Sequence, residues 1–461
     1  MIPLPALMRI LCSRVGLFVP FLLPALLAWP VTLAGTPEPA AGGPISVAWD
    51  PAVLAFSPKC ARTLLQSERS SRCVLEMTLD SSGVPHVFMA ESPSLRDLHV
   101  DDRAIEHFVL SGNEVHRLPP IPAEHAPVMA LRAAAAHTGE LLLLWAEAET
   151  YGPEGRRSTI YLSSYRDGVW GSRETVSDRR ALSFVLDNRE MALVTNADGS
   201  LDVFWRDVRE YHPLVALLTM GHDGDYSKTH HRRRTGAGWT DVERIQRRGT
   251  FDLMAFHVQP NSGGLPFVLW SEDTNSPATI FRSAHSRGRW RVETEIAQCT
   301  ATLEEPRVFD LAVTPGVAAP SRVAWACSGF EYTEPGTQKN TLFVDLYVTA
   351  LLDGVWTTGP VLTRNAVSFR WLWNGRAQSA LVVQESAPRV LETKRLPVPL
   401  SIVSIDRNRP VATEVLTDRS LPGIVEAVAD DHGTVHLIYA EPATDTGAIL
   451  KYRRGRIVAG E

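Results

Sequence analysis

The sequence predicts an all-β fold, a seven-bladed β-propeller of four-stranded blades, and three observations carry that prediction. A short unit recurs seven times: a polar or Gly-containing turn, an apolar run, an aromatic or apolar residue, a spacer and usually an acid. The copies recur at steps of about 56, 60, 65, 55, 58 and 56 residues, the length of one four-stranded blade. Between them, Asp-Gly and Gly-x-Trp signals join short alternating runs, and no long amphipathic helical pattern intervenes.

The N-terminus reads as a targeting segment. Arg9 and Arg14 form a basic start, an uncharged apolar run follows from Val15 to Leu33, and Ala34-Gly35 supplies small residues. This pattern predicts a signal peptide over 1–34 with a secreted or periplasmic product. An uncleaved anchor is the alternative, because the run is about long enough to span; only then is a membrane a partner. Pro20, Pro24 and Pro30 argue against a continuous spanning helix. The segment 35–56 includes a strand-like run, Ile45–Phe56, expected to pair with the last blade and close the ring. Residues 57–461 form the propeller domain.

The seven copies are His86–Glu91, Leu142–Glu147, Asp202–Asp207, Phe267–Glu272, Arg322–Cys327, Ala380–Glu385 and His436–Glu441, each read as the second strand of a blade. The grammar is clearest in blade two. Val128–Ala135 is the first strand, Glu140–Glu147 the second and Thr159–Tyr165 the third; Asp167-Gly168 is a hairpin turn and Val169–Val176 the fourth strand. The third-strand, turn and fourth-strand block returns around Gly238-Trp239, Gly288-Arg289-Trp290, Asp353-Gly354-Val355-Trp356 and Arg454-Gly455. The repeat at Trp371–Glu385 is the weakest, which leaves six or eight blades as alternative counts.

These blocks resemble the Asp-box (bacterial neuraminidase repeat) sialidase-like propeller superfamily, through the hairpins Asp167-Gly168-Val169-Trp170 and Asp353-Gly354-Val355-Trp356 and those at Trp239 and Trp290. The resemblance implies a propeller, and a sialidase-like glycosidase or polysaccharide-active enzyme as one functional reading. The Ser, Asp, Gly and Thr spacing of the Asp-box is not reproduced. The nearest matches to the superfamily's early Arg-Ile-Pro triplet are Arg117-Leu118-Pro119 and Arg395-Leu396-Pro397.

Composition narrows the partners. A formal charge of -6 over 461 residues gives no electrostatic reason for nucleic acid. After the signal, four cysteines remain, an even number that suits disulfides in an exported chain. Cys299 and Cys327 fall on one face of blade five and are expected to pair. Cys73 begins the first inner strand, Cys60 lies just upstream, and the two are expected to pair likewise.

Second strands end on the face that commonly carries ligands in propellers, so the recurring acids Glu91, Glu147, Asp207, Glu272, Glu385 and Glu441 are expected to ring the channel mouth. The loop aromatics Tyr151, Tyr211 and Tyr332 lie beside them. This combination suits a glycan or protein ligand and motivates the leading expectation, a non-enzymatic binding propeller with an acidic face. The bland alternative is a duplicated strand-end carboxylate that accepts hydrogen bonds within its own blade. Arg206, Arg209, Arg307 and Arg370 fall near the same face. His222, Asp223, Asp225, His230 and His231 offer ligand-type side chains without zinc or EF-hand spacing, so no metal is expected. No cofactor is expected, because no phosphate loop, dinucleotide fingerprint, nucleophile elbow or Cys-x-x-Cys motif is present.

Overall fold

The computed structural model describes residues 45–63, 72–92, 104–123, 127–152, 155–177, 188–209, 226–245, 253–259, 265–272, 278–286, 289–299, 304–314, 321–332, 340–373, 379–385, 396–430, 432–443 and 447–459. The expected signal peptide lies outside them. Among the described residues no helix is long and apolar enough to cross a membrane.

Seven separate antiparallel sheets form seven blades. Strand β1 (Ile45–Phe56) precedes the first blade. Blade one holds β2 (Arg72–Leu79), β3 (Pro85–Ser92), β4 (Ala104–Ser111) and β5 (Glu114–Pro122). Blade two holds β6 (Val128–Ala135), β7 (Leu141–Gly152) and β8 (Gly155–Arg166); its fourth strand is interrupted into β9 (Val169–Trp170) and β10 (Glu174–Thr175). Blade three repeats this with β11 (Met191–Thr195), β12 (Leu201–Arg209), β13 (Tyr226–Thr235), β14 (Gly238–Trp239) and β15 (Glu243–Arg244). Blade four is β16 (Leu253–Gln259), β17 (Phe267–Glu272), β18 (Ala278–Ser286) and β19 (Arg289–Cys299). Blade five is β20 (Glu304–Val313), β21 (Arg322–Tyr332), β22 (Asn340–Leu352) and β23 (Val355–Thr358). Blade six is β24 (Ala366–Trp373), β25 (Ser379–Glu385), β26 (Val398–Asp406) and β27 (Arg409–Ser420). Blade seven is β28 (Val425–Ala429), β29 (Thr434–Pro442), β30 (Ala448–Ala459) and β1, which pairs with β30 from Ile45 opposite Ala459 to Phe56 opposite Leu450.

Local chemistry explains the turns. Asp167 and Gly168 have φ of 51° and 83°, and Asp353 and Gly354 have 50° and 79°. Two successive left-handed residues match the right-handed twist of the flanking strands, and Asp-Gly is the pair that tolerates them. Between β2 and β3, Asp80 Oδ1 accepts from the Ser82 and Val84 amides, both at 2.8 Å. Asp430 does the same before β29, accepting from His432 at 2.9 Å and Thr434 at 2.7 Å. One expected turn is corrected. Arg454-Gly455 lies inside the continuous strand β30, because β1 occupies the fourth position of that blade.

The first strand of each blade packs against the first strands of the blades beside it, so these strands line a closed central channel. The core is divided into seven apolar clusters, one at each interface between neighbouring blades. The fourth residue of the second-strand repeat fills these interfaces with bulk: Trp145, Trp205 and Trp325 are fully buried. The Trp270 and Trp325 indoles donate to Ser283 and Thr349 on the third strands, which satisfies the one polar atom each ring buries. Both expected disulfides are present. Cys60–Cys73 has a Cα–Cα distance of 5.5 Å, and Cys299–Cys327 has 5.8 Å. Cross-links of this kind persist in oxidising compartments.

Candidate functional site

The strand-end acids do not share one environment. Glu147 is buried, accepts the Trp145 indole N–H at 2.8 Å and lies 3.9 Å from Arg173. Glu441 accepts from the Thr417 hydroxyl at 3.2 Å. Glu91 and Glu385 are half-buried at the ends of β3 and β25. The side chains of Asp207, Glu272, Tyr151 and Tyr332 lie outside the described residues, as do Tyr211, His222, Asp223 and Asp225 altogether. His230 and His231 are buried in β13, and His231 Nε2 sits 2.7 Å from Asp202. Among the described residues no group of three or more His, Cys, Asp or Glu side chains is arranged to hold a metal ion.

Ionisable side chains converge instead inside the channel. Each first strand presents one residue opposite the third position of the second-strand repeat. In blade order these are Glu76, Arg132, Ala192, His257, Ala312, Arg370 and Glu426, facing Phe88, Leu144, Phe204, Leu269, Ala324, Val382 and Ile438. Equal register puts them at one level of the channel. The two blades with alanine at this level carry acids nearby instead, Glu190 just before β11 and Asp310 on β20. Going round from blade one to blade seven, the order is therefore Glu, Arg, acid, His, acid, Arg, Glu, a palindrome centred on His257.

The pairs follow that order. Arg132 Nη1 donates to Glu76 Oε2 at 2.8 Å, and Arg132 Nε donates to the Met191 carbonyl at 2.9 Å. The Ala133 amide reaches Glu76 Oε1 at 3.4 Å. Arg370 grips Glu426 with two bonds, Nε to Oε2 at 3.0 Å and Nη2 to Oε1 at 2.7 Å. Arg206 donates to Glu190 at 3.3 Å, and Arg189 lies 4.0 Å from Asp310. Asn188 ties the floor together, donating to the Leu75 carbonyl and accepting from the Leu131 amide.

Burial pushes the Glu76 carboxyl up to about 7, opposed by Arg132 and reinforced by the charge of Glu426. Burial also holds His257 down at about 4, helped by the positive charges of Arg132 and Arg370, so the imidazole is neutral at physiological pH. Burial opposes the Arg370 charge, but Glu426, Asp310 and Glu76 together raise its pKa above the ordinary value. The Arg132 and Arg370 side chains keep 25% and 28% of their surface exposed, so water reaches a level that is otherwise walled by protein. The arrangement offers a carboxyl that gains or loses a proton near neutrality, a second carboxylate in a bidentate pair, and a neutral imidazole. Carboxyls whose environments differ in this way can divide acid and base roles between them.

Sequence reasoning found Arg370 but not its neighbours. Arg206 bonds Glu190, Arg307 is exposed on β20, and the Arg209 side chain lies outside the described residues. The signal that could have found Glu76, Arg132, His257 and Glu426 was the repeat itself, carried back across one hairpin. Each stands in a largely apolar first strand, at a fixed offset from the second-strand motif.

Neither a protein-family model nor a curated protein sequence matches the chain. Solved structures do. The polysaccharide lyase Uly1 is 10% identical with a TM-score of 0.50, over 83% of this chain and 89% of that one. An ulvan lyase of polysaccharide lyase family PL25 is 12% identical with a TM-score of 0.43, over 74% and 80%. The α-L-arabinanase of Penicillium chrysogenum, solved with arabinobiose, is 11% identical with a TM-score of 0.41, over 88% and 98%. At these identities the likeness concerns the fold. The leading expectation of a non-enzymatic binding propeller is corrected nonetheless: a polysaccharide lyase shares the fold, and the ionisable groups that converge lie in the channel. The expectation looked only at strand ends, whereas the converging groups are on first strands.

Proposed function

We propose that the protein is a carbohydrate-active enzyme that cleaves glycosidic bonds of a polysaccharide at its central channel, with Glu76 as the proton-transferring carboxyl. One observation carries the reading: a buried carboxyl pushed up to about 7, bonded to Arg132 and electrostatically coupled to Glu426 on the neighbouring blade. Hydrolysis and β-elimination share one requirement, a proton delivered to the leaving glycosidic oxygen. A carboxyl that is half protonated near neutrality meets it. Glu426, held in place by two bonds from Arg370, supplies the second carboxylate that hydrolysis uses. His257, uncharged at neutral pH, supplies a base that elimination uses. The polysaccharide lyase that shares the fold supports this reading over a binding module. The two disulfides favour a protein acting outside the cytosol, where polysaccharides are met. The strand-end acids Glu91 and Glu385 are then candidates for contacts with sugars beyond the cleaved bond.

The test is a panel of arabinans, uronic-acid polymers, sulfated polysaccharides and sialosides, with products read two ways. New reducing ends without ultraviolet absorbance mean hydrolysis; new ends with the absorbance of a ring double bond mean elimination. Turnover is expected, with a rate that declines above about pH 7 as Glu76 loses its proton. No product from any polymer at any pH would reject the enzyme reading.

A further inference from the structure

Among the channel cations, Arg132 has an open edge. Its Nε and Nη1 are committed to the Met191 carbonyl and Glu76, while Nη2 makes no hydrogen bond among the described residues. Arg370 differs, with Nε and Nη2 on Glu426 and Nη1 on the Phe369 carbonyl. The charged groups acting on Glu76 are Arg132 from β6, Glu426 from β28 and Arg370 from β24, while Asp310 and His257 act on those arginines. Glu426 is neutralised by Arg370. Among the described residues the acid bonded to Arg132 is Glu76, which balances its charge only while ionised. A guanidinium with one open edge and a counter-charge that can be withdrawn is a receiver for an anion.

We propose that the channel takes a glycan bearing an anionic group, a sugar carboxylate or sulfate, that the open edge of Arg132 receives this group, and that the ligand's negative charge draws a proton from solvent onto Glu76. No bond other than O–H forms, and the proton comes from water or buffer. The substrate's own charge would thereby arm the acid that the cleavage reaction needs. The inference rests on the channel being the glycan site, but it is read by binding and is separable from cleavage.

The experiment is calorimetric titration of the intact protein with D-glucuronate, its neutral methyl ester and D-glucose 6-sulfate, in two buffers of different ionisation enthalpy. Glucuronate or the sulfate is expected to bind with uptake of up to one proton, and affinity should fall about tenfold per pH unit above about pH 7 and level off below it. Which of the two binds identifies the anion. The ester should bind at least tenfold more weakly, with no proton uptake. Glu76→Gln should bind the anion with no proton uptake and no pH slope, since the amide imitates the protonated acid. The proposal is overturned by equal binding of ester and acid, by anion binding without proton uptake, or by no binding of any probe. The wild-type buffer comparison decides even if the variant misfolds. Proton-linked binding without cleavage of any polymer would sink the enzymatic reading alone; cleavage confined to neutral glycans, with no anion binding, would sink this inference alone.

Discussion

At the residue scale, the buried histidines show how this chain handles ionisable groups away from the channel. His86 Nδ1 and His107 Nε2 are 2.9 Å apart, so a single proton between the rings satisfies both atoms. Burial and the neighbouring His86 hold His107 down at about 3; burial holds His436, bonded to the Tyr452 hydroxyl, at about 4. The unfolded chain binds protons at these sites near pH 6.5, whereas the folded protein does not until far lower. The stabilisation is therefore complete above about pH 6.5 and is lost as the pH falls toward the folded values. Each such histidine should lower stability by up to about 1.4 kcal/mol per pH unit across that window. Denaturant midpoints measured from pH 7 to pH 4 should fall steadily; a flat profile would show that these rings are not neutral and buried in the folded state.

At the element scale, the weak point of any propeller is the seam where the ring closes, and here β1 carries it. Cys60, in the turn after β1, is bonded to Cys73 at the start of the inner strand β2, so the strand that pairs with blade seven is covalently fastened to blade one. Replacing both cysteines with serine should cost about 3 kcal/mol in thermal or chemical unfolding, from the chain entropy of a closed loop of this length. Gly455 faces Trp49 across the seam, and a β-carbon there would lie 2.7 Å from Val47 and 2.8 Å from the Trp49 ring. Gly455→Val should thus destabilise by roughly 1–3 kcal/mol through overpacking, read as a lower melting temperature. An unchanged melting temperature in both variants would show that the seam does not limit stability. The second strands, the Asp-Gly turns and both cysteine pairs were legible because each is a local pattern with one physical meaning. The seam was half legible: Ile45–Phe56 read as its strand, but Arg454-Gly455 read as a turn. Glycine there answers a close approach by a strand some four hundred positions away, which no local pattern encodes.

At the scale of the whole molecule, the ring turns weak local signals into a site. Glu76, Arg132, His257, Arg370 and Glu426 are far apart in sequence, each in a largely apolar strand. The sign that they meet is their shared offset from the repeat, and sequence reading was drawn instead to the more obvious strand-end acids. Repetition fixes their level, and closure of the ring makes them neighbours. The two Arg–Glu pairs sit on either side of His257, and Arg132 makes one bond to Glu76 where Arg370 makes two to Glu426. The central claim is that Glu76 moves the proton in glycan cleavage, and the most direct measurement is turnover by Glu76→Gln beside wild type on whichever polymer the wild type cleaves. The account predicts a loss of about 10²–10⁴-fold in kcat at unchanged melting temperature. Full activity in a folded Glu76→Gln protein would contradict it.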